Sequence, residues 1–300
     1  MTGTTPQPNF FIIGAMKAGT TLLWDVLNQH PQVYMSKRKE PHHFSYLAAG
    51  SRPLILEGAN PPITDTADYA ALFHEAGAAR AVGEASTSYL HTPGVAKLLH
   101  GAYPDAKLIC VLRNPVERAY SHYLFLVRQG VETLPTFAEA IAAEETRAAQ
   151  GLSYGRYTGI GRYHAHLQPY LTYFAPARVH ICLFEDLIRP PGQSYYPIIF
   201  NFLEIDPTIQ VDTTILRNPS GLPKHKWVEA LFSRNNPLRR AIEPWLPRRL
   251  YRLATAVRDR NLTKPPMPPE IRRHLQELFR SDILALQEVI GRDLSGWLQT

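Results

Sequence analysis

Phe10-Phe11-Ile12-Ile13-Gly14-Ala15-Met16-Lys17-Ala18-Gly19-Thr20-Thr21 is the stretch on which the reading of this chain turns. Four large apolar residues run into a glycine. A lysine, a second glycine and two threonines then open an amphipathic segment. That order predicts a strand, a phosphate-cradling loop and a helix. Loop and first-turn N–H groups carry partial positive charge, and Lys17 adds a full one. An anion is expected on Lys17, Ala18, Gly19, Thr20 and Thr21. The common nucleotide loop places its lysine directly after the second glycine. Here the lysine precedes Gly19 by two residues.

A second strand–turn–helix signature follows in Lys107-Leu108-Ile109-Cys110-Val111-Leu112-Arg113-Asn114-Pro115-Val116-Glu117-Arg118-Ala119-Tyr120-Ser121. Pro115 suits the first helical position, and the planar fork of Arg113 suits phosphate oxygens. Both segments closely resemble those of sulfotransferases that use 3′-phosphoadenylyl sulfate (PAPS), in the branch holding heparan sulfate enzymes and their bacterial-type relatives. The resemblance implies that residues 14–21 hold the 5′-phosphosulfate and that Arg113 and Ser121 grip the 3′-phosphate.

The same resemblance covers Lys39-Glu40-Pro41-His42-His43-Phe44. It implies Glu40 as the base that takes the acceptor's proton, with His42 beside it and Lys17 stabilising charge on the bridging oxygen. An unperturbed glutamate titrates near 4.3, so burial is expected to raise Glu40 for efficient base work. Two positions depart from the heparan-type pattern. Ser45 stands where an aspartate is usual, and Ala85 where a lysine is usual. Both changes remove charge from the expected acceptor cleft and favour a less charged acceptor: a small molecule, a glycolipid or another carbohydrate, sulfated on oxygen or nitrogen. Gly221-Leu222 replaces the family's Gly-Arg pair, leaving Lys224 or Lys226 to supply positive charge to the 3′-phosphate. In Gly155-Arg156-Tyr157 and Gly161-Arg162-Tyr163, Tyr163 and Leu167 read as packing residues, Arg156 and Tyr157 as candidates to line the cleft. Phe184-Glu185-Asp186-Leu187 follows a strand in a family-typical way, with carboxylates placed to cap the next turn.

The remaining sequence agrees with an α/β enzyme. Apolar residues make up 45% and charged ones 19%, which is ordinary for a globular chain. Strands are expected at 9–13, 80–84, 107–112 and 179–184. Helices are expected at 20–29, 92–100, 115–129, 135–149, 161–174 and 191–204, and from Pro269 with Ile271, Leu275, Leu278, Leu286 and Ile290 inward until Gly291. Short buried strands alternating with helices imply a three-layer P-loop-type fold, with a central parallel sheet, flanking helices and a helical C-terminal extension. One domain over 1–300 is expected, with a disordered lead-in at 1–8 and its helical part at 228–300 packed on the same body. Residues 48–66 and 206–226 read as loops.

Cys110 and Cys182 lie in apolar runs without metal spacing, so buried thiols, no metal and a cytoplasmic setting are expected. No apolar run reaches the 18 residues a membrane span needs. Nine Lys/Arg between Arg234 and Lys264 face only Glu243 and Asp259. They interleave with apolar residues at helix-like spacing and read as the solvated face of packed helices, with no nucleic-acid partner. Two other readings remain: an ATP- and Mg²⁺-dependent P-loop phosphotransferase, and a non-catalytic polyanion binder acting through 234–264.

Overall fold

The computed structural model describes residues 6–50, 61–150, 155–190, 194–213, 221–224 and 261–299. The basic stretch 234–260 and Lys226 lie outside them, as do 1–5 of the lead-in. Five strands form one parallel sheet in the order β2-β3-β1-β4-β5. They are β1 (Phe10–Gly14), β2 (Val33–Met35), β3 (Ala81–Ala85), β4 (Lys107–Leu112) and β5 (Val179–Leu183). Every residue of β1 and β3 is buried, as strands covered on both faces should be. Cys110 and Cys182 are free and buried in the neighbouring strands β4 and β5, one position out of register: Cys110 pairs with Ile181 and Cys182 with Val111.

Helices α1 (Thr20–Leu27), α2 (His43–Ala49), α3 (Thr66–Ala71), α4 (Val95–Ala102), α5 (Pro115–Gln129), α6 (Phe137–Ala142), α7 (Glu144–Ala149), α8 (Tyr163–Tyr173), α9 (Phe184–Leu187) and α10 (Tyr196–Phe202) connect and cover the strands. A two-stranded ribbon, β6 (Leu222–Pro223) with β7 (Leu262–Thr263), precedes a long last helix, α11 (Pro269–Ile290). Helix α11 packs on α8 and α5 and ends at Gly291 in left-handed geometry. Its buried face includes Phe279 and Ile283 besides the expected Leu275 and Leu286, while Ile271, Leu278 and Ile290 are half-buried.

Several elements depart from the expectations: no helix was expected at α2 or α3, and β6 falls in a segment read as a loop. Strand β2 is only three residues long and is defined by parallel pairing of Val33 with Ala81 and Met35 with Gly83, a signal no sequence period carries. The segment expected as one helix over 135–149 is two, meeting at Ala143.

The strand order puts β1 between β3 and β4, so the chain's excursions leave to opposite sides of β1. In open α/β sheets, the crevice outside the carboxyl ends at such a switch point is where ligands bind. The loops after β1, β2, β3 and β4 all open there. Gly83 also lets β3 pass the ring of Phe10, since a Cβ would come within 2.4 Å of the ring's Cζ.

Candidate functional site

The loop after β1 needs its unusual backbone. Lys17 and Gly19 have φ of 66° and 101°. At Gly19 a Cβ would also approach within 2.7 Å of the Phe184 ring, so glycine is required twice over. Helix α1 starts at Thr20 with no side-chain cap, leaving first-turn N–H groups directed at the crevice. Thr20 is buried and Thr21 half-buried. Ala18 is fully buried, and its N–H is spent on Ala15 O at 3.1 Å.

Lys17 Nζ stands 4.3 Å from the centre of the Phe125 ring on α5. Burial first, then the charges of Arg128, Arg113 and Lys39, lower its pKa to about 7. The β4 side supplies Arg113. Its Nη1 donates to Lys17 O at 3.4 Å and its guanidinium lies 4.9 Å from the Phe184 ring. Tyr163 OH donates to Arg113 O at 2.9 Å, fixing the backbone there. Asn114 caps α5, accepting from Val116 N, with Pro115 in its first turn. Ser121 is buried two turns along the same helix. Neither Lys17 nor Arg113 forms an ion pair with a carboxylate among the described residues. Lys224 is exposed beside β6, which packs on α5.

The facing wall is a turn leading into α2. Glu40 and His42 both take left-handed φ, 59° and 54°. The Glu40 carboxylate accepts Thr87 N at 2.8 Å and Thr87 Oγ1 at 3.1 Å, and pairs with Lys39 Nζ at 2.6 Å. His42 Nε2 lies 3.7 Å from it. Burial pushes the Glu40 pKa up, but Lys39, His42 and the Thr87 N–H together hold it below the usual carboxylate range. The expectation of a raised pKa is therefore corrected: the partners outweigh the burial. Burial lowers His42 despite Glu40, favouring a neutral ring. His42 Nδ1 shares a 2.7 Å hydrogen bond with Ser88 Oγ, which meets Ser45 Oγ at 2.7 Å. His43 instead stacks on Tyr69 at 4.4 Å and bonds Ile63 O, a packing role.

Behind this turn sits Glu84, fully buried on β3. It accepts Tyr89 OH at 2.5 Å, Ser86 Oγ at 2.8 Å and Tyr69 OH at 3.1 Å. Burial raises its pKa to about 7 against those three donors. Beneath the crevice, Arg118 Nε and Nη1 and both ring nitrogens of His122 are buried with no hydrogen-bond partner among the described residues. Tyr157 does not line the cleft. It is fully buried, and its OH donates to Glu132 at 2.6 Å, beside the Glu132–Arg147 pair. Asp186 caps α9 through Leu183 N and binds Arg189 and Arg292, a structural role.

The family model for the sulfotransferase domain matches residues 7–284. The chain belongs to the sulfotransferase family. A crystal structure of a sulfotransferase from Alicyclobacillus acidocaldarius is similar over 98% of this chain and all of that one, with 34% identity and a TM-score of 0.77. The human bifunctional heparan sulfate N-deacetylase/N-sulfotransferase 2 is 28% identical over 97% of this chain and 31% of its own length. The membrane-associated sulfotransferase kil1 of Dictyostelium discoideum is 36% identical over 40% of this chain and 23% of its own. The chain thus spans a third or less of these two curated relatives. Among the described residues of this sulfotransferase, no helix is long and apolar enough to cross a membrane, and no cluster of three His, Cys, Asp or Glu could hold a metal ion.

The motifs nominate Lys17, Arg113, Ser121 and Glu40 as candidates. They give no role to the rings of Phe184 and Phe125 or to the hydroxyl set Ser86, Thr87, Ser88 and Tyr89. These last lie in Gly83-Glu84-Ala85-Ser86-Thr87-Ser88-Tyr89, where a run of hydroxyls after a buried strand was the available signal.

Proposed function

We propose that this chain moves a sulfuryl group from PAPS to a hydroxyl or amine of a weakly charged acceptor, by in-line displacement within one domain. The observation that carries the reading is the convergence of Lys17 and Arg113: two cations with no carboxylate partner among the described residues, the Arg113 guanidinium donating to the Lys17 backbone carbonyl across the ends of β1 and β4. Bound PAPS supplies the activated sulfur and leaves as adenosine 3′,5′-bisphosphate. First-turn amides and hydroxyls of α1 hold the 5′-phosphosulfate, while Lys17 neutralises charge growing on the bridging oxygen. Arg113 and Ser121, with Lys224 reaching from the β6 side, fix the 3′-phosphate and so the position of the reacting end.

Glu40 takes the acceptor's proton. Its low pKa keeps it ionised at neutral pH, and the neutral His42 ring beside it orients the acceptor oxygen or nitrogen. Ser45 and Ala85 are both buried and uncharged, which supports an acceptor less charged than heparan sulfate: a small molecule, a glycolipid or a neutral carbohydrate. No metal enters this scheme, since Lys17 and Arg113 supply the positive charge that a kinase takes from Mg²⁺.

Calorimetric titration with adenosine 3′,5′-bisphosphate, beside ATP with Mg²⁺, tests the donor site. Micromolar, metal-independent binding of the bisphosphate that is lost in Arg113→Ala is expected. A preference for ATP with Mg²⁺ would overturn the reading.

A further inference from the structure

Helix α2 begins without a side-chain cap of its own: His42 stands at the N-cap position in left-handed geometry and offers none. The N–H groups of such a start need acceptors. Two hydroxyls from the loop after β3 provide them. His42 N donates to Ser86 Oγ at 3.0 Å, and Phe44 N donates to Tyr89 OH at 3.3 Å. Each hydroxyl has one proton, and both protons go to the same group, the carboxylate of Glu84. The third donor, Tyr69 OH, also ends on Glu84 but relays to no amide of the turn. As a carboxylate, Glu84 can receive all three O–H donors while giving none. A carboxamide would present an N–H₂ against at least one hydroxyl. Two hydroxyls can rotate freely, and their lone pairs face the His42 and Phe44 amides only while their protons are drawn the other way.

We propose that Glu84 is a positioning residue for the transfer step: by orienting Ser86 Oγ and Tyr89 OH, it holds the backbone of the Glu40–His42 turn in its left-handed geometry. Glu84 itself touches neither donor nor acceptor. The catalytic half of this proposal rests on the reading of Glu40 as base. The geometric half stands on the hydrogen bonds alone.

Amide hydrogen exchange tests the geometric half without any acceptor. In Glu84→Gln, the His42 and Phe44 amides are expected to exchange at least tenfold faster while those of β1 and β4 keep their protection. Ser86→Ala should release His42 alone and Tyr89→Phe should release Phe44 alone, which carries the test if Glu84→Gln fails to fold. Tyr69→Phe should release neither. Unchanged protection of both amides, or a uniform loss across the sheet, would overturn the proposal. For the catalytic half, ³⁵S-labelled PAPS is used with water as acceptor. Glu84→Gln should lower kcat for sulfate release at least tenfold with bisphosphate affinity unchanged, and Glu84→Gln/Ser86→Ala should fall no further. Wild-type kcat in Glu84→Gln overturns the role of Glu84. Wild-type kcat in Glu40→Gln, with the exchange results as expected, overturns the base and leaves the positioning intact.

Discussion

The two walls of the crevice are built by different means. The wall proposed to take the donor, the donor wall, consists of chain that continues directly from β1 and β4, so strand ends aim Lys17 and Arg113 with few side-chain intermediaries. The wall proposed to take the acceptor hangs from another loop: Glu40 on Thr87, His42 on Ser86 and Ser88, Phe44 on Tyr89. The first wall depends on backbone geometry and charge, the second on a lattice of hydroxyl protons. Substitutions should therefore separate binding from turnover according to the wall they touch.

Glu40→Gln should break the comparison most sharply. Loss of a general base costs about 10²–10⁴-fold in rate, with bisphosphate affinity held, measured as sulfate release against calorimetric Kd. Arg113→Ala should do the converse and weaken bisphosphate binding roughly a hundredfold, the worth of a bidentate charge-assisted contact. Lys17 sharpens the picture through pH. Its pKa of about 7 without ligand must rise when an anion binds, because the anion favours the charged form. Affinity should then fall by up to about tenfold per pH unit above 7, and Lys17→Met should abolish that slope in titrations from pH 7 to 9. The smallest effect is expected at Lys39. Removing this cation should raise the Glu40 pKa, so the acid limb of a pH–rate profile in Lys39→Met moves to higher pH.

The contrast also explains what could be read from sequence. The strands β1, β3, β4 and β5 and helix α5 fall where apolar runs, Asn114 and Pro115 place them, because local pattern and tertiary need agree there. Lys17, Gly19 and Arg113 are legible for the same reason: their spacing is itself the geometry. Strand β2 was not, since three residues at a sheet edge show no period, and α2 was not, since its caps lie more than forty residues away. The sign of the Glu40 shift escaped as well. Burial is visible in a sequence of apolar neighbours, but the countering charges of Lys39 and His42 act only because the turn folds them against the carboxylate, where the Thr87 amide adds to them.

Phe184 ties three positions into one selective unit. Its ring fills the space a side chain at Gly19 would need and stacks beside the Arg113 guanidinium. Alanine at position 19 meets that ring and a backbone suited to glycine, the latter alone costing about 1–2 kcal/mol. Shrinking Phe184 would relieve the collision but strip Arg113 of its support. The order in which substitutions arrive therefore decides whether each is tolerated. Drift at these three sites should be strongly epistatic, and the donor wall should diverge far more slowly than the hydroxyl-hung wall opposite.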